Sequence, residues 1–156
     1  VENYRKLTRI APPVREQISI QAFFDDLRRL YPSPLFHFTA PSGLTFLADR
    51  TQMEQIFINL LKNAMQAFEK SSSPAEEKHI HIRAYCDEAE AVLIEISNNG
   101  PAIPPNIAEH IFIPFFTTKE NGSGIGLSIS RQIMRLSGGN LSLRPGKETT
   151  FVLKFN

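Results

Sequence analysis

Cysteine is almost missing from this 156-residue sequence, which contains only Cys86. One thiol can form neither an internal disulfide nor a cysteine-based zinc site, which points to a reducing compartment. Long apolar runs are missing as well: none approaches the roughly 20 residues that cross a bilayer, and residues 1–6 are too polar for a signal peptide. We therefore expect a cytoplasmic segment without membrane contact of its own, whether or not its parent protein is anchored in a membrane.

An excess of charge of one sign is missing too, since 17 basic and 16 acidic side chains give a formal net charge of +1. No whole-molecule field then favours nucleic acid or an anionic surface, so nucleic acid is not an expected partner. Any phosphate binding has to be local. Apolar residues make up 42% of the chain, which is enough to bury the core of one globular domain.

The pattern of apolar residues in the first third of the chain predicts a strand, a helix and a hairpin. Residues 18–20 alternate as an edge strand would, and helical spacing follows over 22–30 until Pro32. The β-rich runs 35–39 and 44–47 are separated by turn formers, so we expect them to pair with each other.

The rest of the chain predicts one long helix, two hairpins and a shorter helix. Apolar residues recur at helical spacing after the candidate N-cap Asp49 as far as Phe68, and again over 125–136. The expected hairpins join 80–84 with 92–96 and 141–143 with 150–155. This mixture indicates an α+β fold: a two-layer α/β sandwich with helices on one face of a mostly antiparallel, mixed sheet.

One flank of the long helix, beside its apolar stripe, carries three carboxamides: Asn59, Asn63 and Gln66. An amide oxygen is a hard, neutral ligand that suits Mg²⁺, an ion usually shared with substrate phosphates. The alternative, that these amides only hydrogen-bond neighbouring backbone or water, remains open on the residues alone.

Two loops place turn formers where a ligand can meet the backbone. Residues 98–104 follow a buried strand, and Gly122, Gly124 and Gly126 alternate where a loop enters a helix. A helix start presents free N–H groups and a positive dipole end to an anion, and glycines let phosphates approach. The spacing is neither that of a Walker A loop nor that of a Rossmann fingerprint. A phosphate-binding loop and an ordinary glycine-rich loop both remain open.

Four segments, in this order, resemble the catalytic domain of sensor histidine kinases within the Bergerat-type (GHKL) ATPase superfamily. Residues 59–64 (NLLKNA) resemble its N box, 98–103 its first glycine box, 111–119 (IFIPFFTTK) its F box and 122–127 its second glycine box. The helix and turn at 131–139 also fit. The resemblance begins near Ile18, runs to the C-terminus, and implies the Bergerat ATPase fold with ATP and Mg²⁺ as cofactors.

By this resemblance Asn63 coordinates Mg²⁺ with support from Asn59, the second glycine box surrounds the triphosphate, and Lys119 reaches the phosphates. The F-box rings at 112, 115 and 116 anchor a lid over the nucleotide, fill core, or do both. No residue is assigned as catalytic. The full expected nucleotide-binding set is Asn59, Asn63, Gln66, Asn98, Gly100, Ala102, Ile103, Thr118, Lys119, Gly122, Ser123, Gly124, Ile125, Gly126 and Leu127, with Asn63 and Asn59 at the metal.

Two positions depart from the family pattern. The first glycine box of these kinases usually begins with Asp, which accepts a hydrogen bond from the adenine amino group, but here it begins with Asn98. An amide oxygen still accepts that bond, although without charge assistance. Ala102 stands where the family has Gly; it adds a methyl group and restricts φ. We therefore expect weaker ATP binding.

The implied function is transfer of the ATP γ-phosphate by residues 14–156 to a histidine on a separate helical domain, for relay to a response regulator. Residues 1–13 are expected to be the tail of that dimerisation and phosphotransfer domain with its linker, and the isolated fragment to be a monomer. The histidines lie outside the four boxes and are expected to be surface or structural residues: His37, His79, His81 and His110.

Two other interpretations remain open. The chain could be a degenerate nucleotide-binding or interaction module of the same fold without turnover, or a serine protein kinase of the same superfamily. ATP hydrolysis is disfavoured, because family members that hydrolyse ATP carry Glu one turn before the metal-binding Asn. Asn59 occupies that position here, and an amide cannot take a proton from water.

Overall fold

The computed structural model describes residues 10–69, 74, 77–114, 126–144 and 146–156. Within these ranges the chain forms, in order, β1 (Glu16–Ser19), α1 (Ile20–Leu30), β2 (Phe36–Thr39), β3 (Thr45–Ala48), α2 (Arg50–Ala67), β4 (Ile80–Cys86), β5 (Val92–Asn98), α3 (Pro105–Ala108), α4 (Gly126–Leu136), β6 (Asn140–Arg144) and β7 (Thr149–Phe155). None of these described helices is long and apolar enough to span a membrane. Of the expected tail and linker over residues 1–13, residues 1–9 lie outside the described residues.

One layer of the fold is a five-stranded sheet in the order β2-β4-β5-β7-β6. β2 runs parallel to β4, whereas the other neighbouring pairs are antiparallel. Alternate side chains of the central strands, such as Ile82 and Ile96, are buried in one core together with residues of α1, α2 and α4. The predicted α+β sandwich, with helices on one face of a mixed and mostly antiparallel sheet, is confirmed.

The predicted pairing of residues 35–39 with 44–47 is wrong. β2 pairs in parallel with β4, with Phe36 opposite Ile80, and β3 pairs antiparallel with β1, with Ala48 opposite Glu16. Burial decides this choice of partners, because Phe36 and Phe46 are each 9% or less exposed. A tight local hairpin would satisfy the turn residues, but only distant partners bring both rings into the core.

The other two hairpins are confirmed. β4 pairs with β5, with Ile82 opposite Ile96, and β6 pairs with β7, with Leu141 opposite Leu153. In both hairpins the alternation of apolar and polar residues in the sequence matches the pleat, so register follows from which face is buried.

The long helix begins where its N-cap was predicted. Asp49 Oδ1 accepts a hydrogen bond from Gln52 N–H (3.1 Å), which satisfies one of the unpaired donors at the start of α2. The apolar stripe of α2 is buried and packs against β5, α1 and α4; its members are Met53, Ile56, Phe57, Leu60, Leu61 and Ala64. The flank beside this stripe, which carries Asn59 and Asn63, therefore remains to form a site.

The end of α4 depends on its two glycines. Gly138 adopts φ +83, and Gly139 N–H donates to Met134 O (2.8 Å), which closes the last turn of the helix. A Cβ on Gly139 would lie 2.3 Å from the carbonyl oxygen of Lys154. The predicted helix over 125–136 is thus confirmed for 126–136, the part that lies within the described residues.

Candidate nucleotide-binding site

The flank of α2 that carries the carboxamides faces the start of α4. Asn59 and Asn63 are half-buried, whereas Gln66, the third amide of this flank, is exposed. Asn59 Nδ2 donates to Ser130 Oγ at 3.5 Å, at the outer limit of a hydrogen bond. Ser130 is 3% exposed, so Asn59 joins α2 to the buried face of α4.

Gly126, the first residue of α4, lies directly against Asn59. A Cβ on Gly126 would be 2.6 Å from Asn59 Oδ1 and 2.9 Å from its Nδ2. Leu127 beside it packs on the core. The described N-terminal end of α4 is therefore placed at Asn59, and the N-terminal end of a helix carries a positive partial charge.

The first glycine box meets the C-terminal end of α2. Asn98 ends β5, is 3% exposed, and its Oδ1 accepts a hydrogen bond from Gly100 N–H (3.0 Å). Gly100 is buried, and a Cβ there would lie 3.2 Å from both the Cβ and the carbonyl oxygen of Ala67. Ala102 is exposed, and Ile103 packs against the core.

These contacts give α2 two regions of different chemistry. Asn59, in the middle of the helix, and Ala67, at its C-terminal end, are eight residues apart, which corresponds to about 12 Å at the α-helical rise. The region around Asn59 meets the described N-terminal end of α4, which favours anions, and Ala67 meets a buried amide and a backbone turn. An elongated ligand with an anionic tail and a polar ring matches this arrangement.

The described part of the F box is held by α4 and the sheet. Phe112 meets the ring of Phe151 edge to face, with centroids 6.3 Å apart, and the guanidinium of Arg131 lies 4.4 Å from the Phe112 centroid. Arg131 Nε is buried without a hydrogen-bond partner among the described residues. Burial, and then the neighbouring charge of Arg135, lowers the pKa of Arg131. Holding the Arg131 guanidinium over the Phe112 ring therefore costs part of its solvation free energy.

Several expected site residues lie outside the described residues. They are Phe115, Phe116, Thr118, Lys119, Gly122, Ser123, Gly124 and Ile125. The described residues thus include the N box, the first glycine box and the last two residues of the second glycine box. Asn98, Gly100 and Gly126 lie close to α2, which itself carries Asn59.

Two further residues of the site, Ser130 and Ala67, were not predicted from the sequence. Ser130 follows Gly126 by four residues, so the two share a face of α4, and this spacing was the available signal. Ala67 has no polar side chain that could have indicated a role, because it contacts Gly100 only through its methyl group and its backbone carbonyl. Asn99 is instead tied to the segment before β4, because its Oδ1 accepts from His79 N–H (2.8 Å).

Two of the histidines make side-chain contacts away from α2. His81 Nε2 lies 2.8 Å from Thr39 Oγ1, and His79 Nε2 lies 3.5 Å from Glu148 Oε2. His81 alternates with the buried Ile80 and Ile82 along β4, which places it on the sheet face opposite the helices. The pKa of His81 is lowered, mainly by burial and then by the neighbouring charges of Arg83, His37 and His79.

The residues present fit a nucleotide with a divalent ion. Among the described residues no group of three or more His, Cys, Asp or Glu side chains is arranged to hold a metal. A metal at Asn63 would take amide oxygen from the protein and its other ligands from phosphate and water, which is how Mg²⁺ is usually held. The missing Cβ atoms of Gly126 and Gly100 let these two backbones pack directly against Asn59 and Ala67.

Comparisons with known proteins agree with this geometry. Residues 48–156 match the family model described as "Histidine kinase-, DNA gyrase B-, and HSP90-like ATPase". The chain is 38% identical over 115 residues to the C4-dicarboxylate transport sensor protein DctB of Rhizobium meliloti (strain 1021), covering 72% of this chain and 18% of DctB. It is 37% identical over 108 residues to the signal transduction histidine-protein kinase AtoS of Escherichia coli (strain K12), covering 68% of this chain and 17% of AtoS.

A solved structure shares the fold over most of the chain. The catalytic domain of histidine kinase ThkA superposes with a TM-score of 0.75 at 29% identity, covering 90% of this chain and 94% of that domain. The chain spans less than a fifth of the length of DctB and AtoS. It belongs to the family of histidine kinase-, DNA gyrase B- and HSP90-like ATPases.

Proposed function

We propose that this chain is the catalytic ATP-binding domain of a sensor histidine kinase. It binds Mg·ATP and transfers the γ-phosphate to a histidine on a separate helical domain, for relay to a response regulator. The observation that carries this proposal is the contact of both glycine boxes with α2, with Gly126 against Asn59 in the middle of the helix and Gly100 against Ala67 at its C-terminal end.

The two contact regions of α2, at Asn59 and at Ala67, suggest the orientation of the nucleotide. The start of α4 favours the triphosphate, because unpaired N–H groups and the helix dipole act on the nearest negative charge. The buried oxygen of Asn98 supports the purine, because it still has a lone pair to accept from an exocyclic amino group while it bonds Gly100 N–H. Residues 118–125 of the expected set are proposed to complete the phosphate contacts.

Asn63 is the proposed protein ligand of Mg²⁺, and Asn59 supports the metal or the phosphates. When bound, the ion neutralises charge on the phosphate oxygens, which favours in-line phosphoryl transfer. Asn59 also separates transfer from hydrolysis: it stands where a proton-accepting Glu would activate water, and its amide accepts no proton. The chain therefore positions the phosphate and relies on the partner histidine as nucleophile.

Residues 1–13 are proposed to lead from the helical domain into residues 14–156, and the isolated chain is proposed to be a cytoplasmic monomer. The names of the relatives support the partners: DctB is a sensor protein and AtoS is a signal transduction histidine-protein kinase, and a structure of ThkA was determined in complex with the response regulator TrrA. That ThkA chain is 24% identical to this one, so for this chain the likeness supports the fold, and a response regulator remains a proposed partner.

The test combines binding and transfer. The chain is titrated with Mg·ATP by calorimetry, and is then incubated with γ-labelled ATP and the helical domain encoded directly upstream. We expect binding, label in an acid-labile and base-stable phosphohistidine, and loss of both with Asn63→Ala. Asn140→Ala, an exposed Asn on β6, is the matched control and should change neither.

Other outcomes select the alternatives. No binding at millimolar nucleotide would identify a degenerate interaction module, an alternative that Asn98 in place of Asp motivates. Acid-stable phosphoserine in a substrate would identify a serine kinase. Rapid steady ATP hydrolysis by the isolated chain, abolished by Asn63→Ala, would contradict phosphotransfer as the main activity.

A further inference from the structure

The segment 10–14, which precedes the first strand, is hydrogen-bonded to the start of α2. The carbonyl of Ala11 accepts from Gln52 Nε2 (2.8 Å), and Val14 N–H donates to Asp49 Oδ2 (2.9 Å). Ile10 packs against the core. A segment expected to be a simple linker is therefore attached at three points.

Asp49 connects this segment with the helix. The ladder between β1 and β3 ends at Glu16 opposite Ala48, because the chain after Ala48 turns into α2. The Asp49 carboxylate then takes the place of a backbone acceptor for Val14, while its other oxygen caps Gln52 N–H (3.1 Å). The N–H groups of Val14 and then Gln52 lower the pKa of Asp49. One side chain thus bonds the incoming segment and the start of α2.

Gln52 also holds this segment, through its bond to Ala11, but its placement costs free energy. Its Oε1 is buried and has no hydrogen-bond partner among the described residues, and an unpaired buried acceptor costs free energy. Between the two contacts lie Pro12 and Pro13, which fix their own φ and restrict the residue before each of them. The attached segment is therefore stiff as well as bonded.

We propose that Asp49 and Gln52 are positioning residues that hold segment 10–14, here named the linker dock, in a fixed position on α2. This inference rests on the proposed function, in which this segment connects the chain to the histidine-bearing domain. Phosphoryl transfer needs a set geometry between that histidine and the nucleotide. α2 carries Asn59 and Asn63, so the linker dock fixes the connecting segment relative to the residues proposed to hold the metal and the phosphates.

Two variants of this chain test the dock. In Asp49→Asn the new amide nitrogen cannot accept from Val14, whereas Asn remains a good N-cap. Gln52→Met removes the bond to Ala11 and keeps a long, helix-compatible side chain. Ser19→Ala is the control, since it removes the cap of α1, whose Ser19 Oγ accepts from Ala22 N–H (3.3 Å), and leaves the dock intact.

Hydrogen exchange and a distance measurement provide the readouts. Exchange of the Val14 amide is followed by NMR, and nitroxides are attached to the exposed native Cys86 and to Ala11→Cys for pulsed electron resonance. We expect Val14 to exchange about tenfold faster in Asp49→Asn and the distance distribution to broaden in both variants, with Ser19→Ala unchanged. The inference is overturned if both variants keep the exchange rate and the distribution of the unsubstituted chain.

Kinetics separate positioning from a purely structural role. In a protein that includes the upstream helical domain, both variants should lower kcat of histidine phosphorylation with an unchanged KM for ATP; a change confined to KM would contradict positioning. Failure of the unsubstituted chain to bind Mg·ATP would contradict the proposed function and leave the exchange and distance results standing. An intact dock in both variants would contradict this inference whatever the nucleotide result.

Discussion

Gly126 faces Asn59 so closely that a Cβ on the glycine would lie 2.6 Å from Asn59 Oδ1. We expect Gly126→Ala to displace that side chain and to weaken Mg·ATP binding by about tenfold, which corresponds to about 1.4 kcal/mol. Stability should change by no more than about 1 kcal/mol, because Ala is the better helix former. Calorimetric titration and urea unfolding measure the two effects.

Gly146→Ala is the matched control for this substitution. Its added Cβ would have its nearest neighbour at 3.9 Å, so affinity and stability should both remain as they are. Unchanged Mg·ATP affinity in Gly126→Ala would show that the start of α4 does not meet the nucleotide.

Asn98 offers the purine an oxygen that is already engaged by Gly100 N–H (3.0 Å). Asn98→Asp would add a second acceptor oxygen with negative charge, and charge-assisted hydrogen bonds are about twice as strong as neutral ones. We expect ATP affinity to rise about three- to tenfold. The affinity for ITP, which has no exocyclic amino group, should not rise.

The control for this prediction is Asn140→Asp, which makes the same change on the exposed end of β6. Equal gains for ATP and ITP would show that the side chain at position 98 does not contact the 6-position of the purine. The measurement is a competition titration with both nucleotides.

Arg131 lies over the Phe112 ring at 4.4 Å with its Nε buried and unsatisfied among the described residues. Arg131→Met should change the free energy of unfolding by less than about 1 kcal/mol, because losing the cation–π contact is offset by removing an unpaired donor. Phe112→Ala should cost about 2 kcal/mol, since it removes a half-buried ring from the core. Thermal and urea unfolding check both values; a loss larger in Arg131→Met than in Phe112→Ala would refute this account.

Glu95 provides a prediction about pH. Burial alone would raise the pKa of Glu95, but hydrogen bonds from Arg144 and Tyr85 outweigh it and hold the pKa below its usual value of 4.5. A depressed carboxyl pKa contributes stability that is present above pH 4.5 and is lost as pH falls through the folded value.

Glu95→Gln should therefore lower stability at pH 7 by about 1 to 2 kcal/mol, the range for a hydrogen bond to a charged group with a half-exposed partner. It should also flatten the fall in stability below pH 4.5. Urea unfolding between pH 7 and pH 3 measures both effects. The exposed pair Arg28 and Asp25 supplies a control, Asp25→Asn, for which we expect little change at either end of the range.

Local sequence pattern was sufficient wherever one face of an element had to be buried. The stripe of α2 from Met53 to Ala64, the capping of that helix by Asp49 and the alternation of β4 and β5 all follow from periods of 3.6 and 2 residues. The order of the four boxes along the chain likewise led to the family without any distances.

Local sequence pattern did not predict the long-range contacts. The turn residues between β2 and β3 are compatible with a hairpin, yet the two strands join different sheets, because local propensity is weaker than the burial of Phe36 and Phe46. Three contacts join residues that are 33 to 67 positions apart: Gly126 with Asn59, Gly100 with Ala67, and Val14 with Asp49.

The sequence by itself determined the elements of this protein, the fold class and the identity of the motifs, because each depends on spacing within a short segment. Only the tertiary structure decided which strands pair, which part of α2 meets each glycine box and where segment 10–14 is attached. These arrangements depend on which distant surfaces fill one core without a clash, and no repeat along the chain encodes that fit.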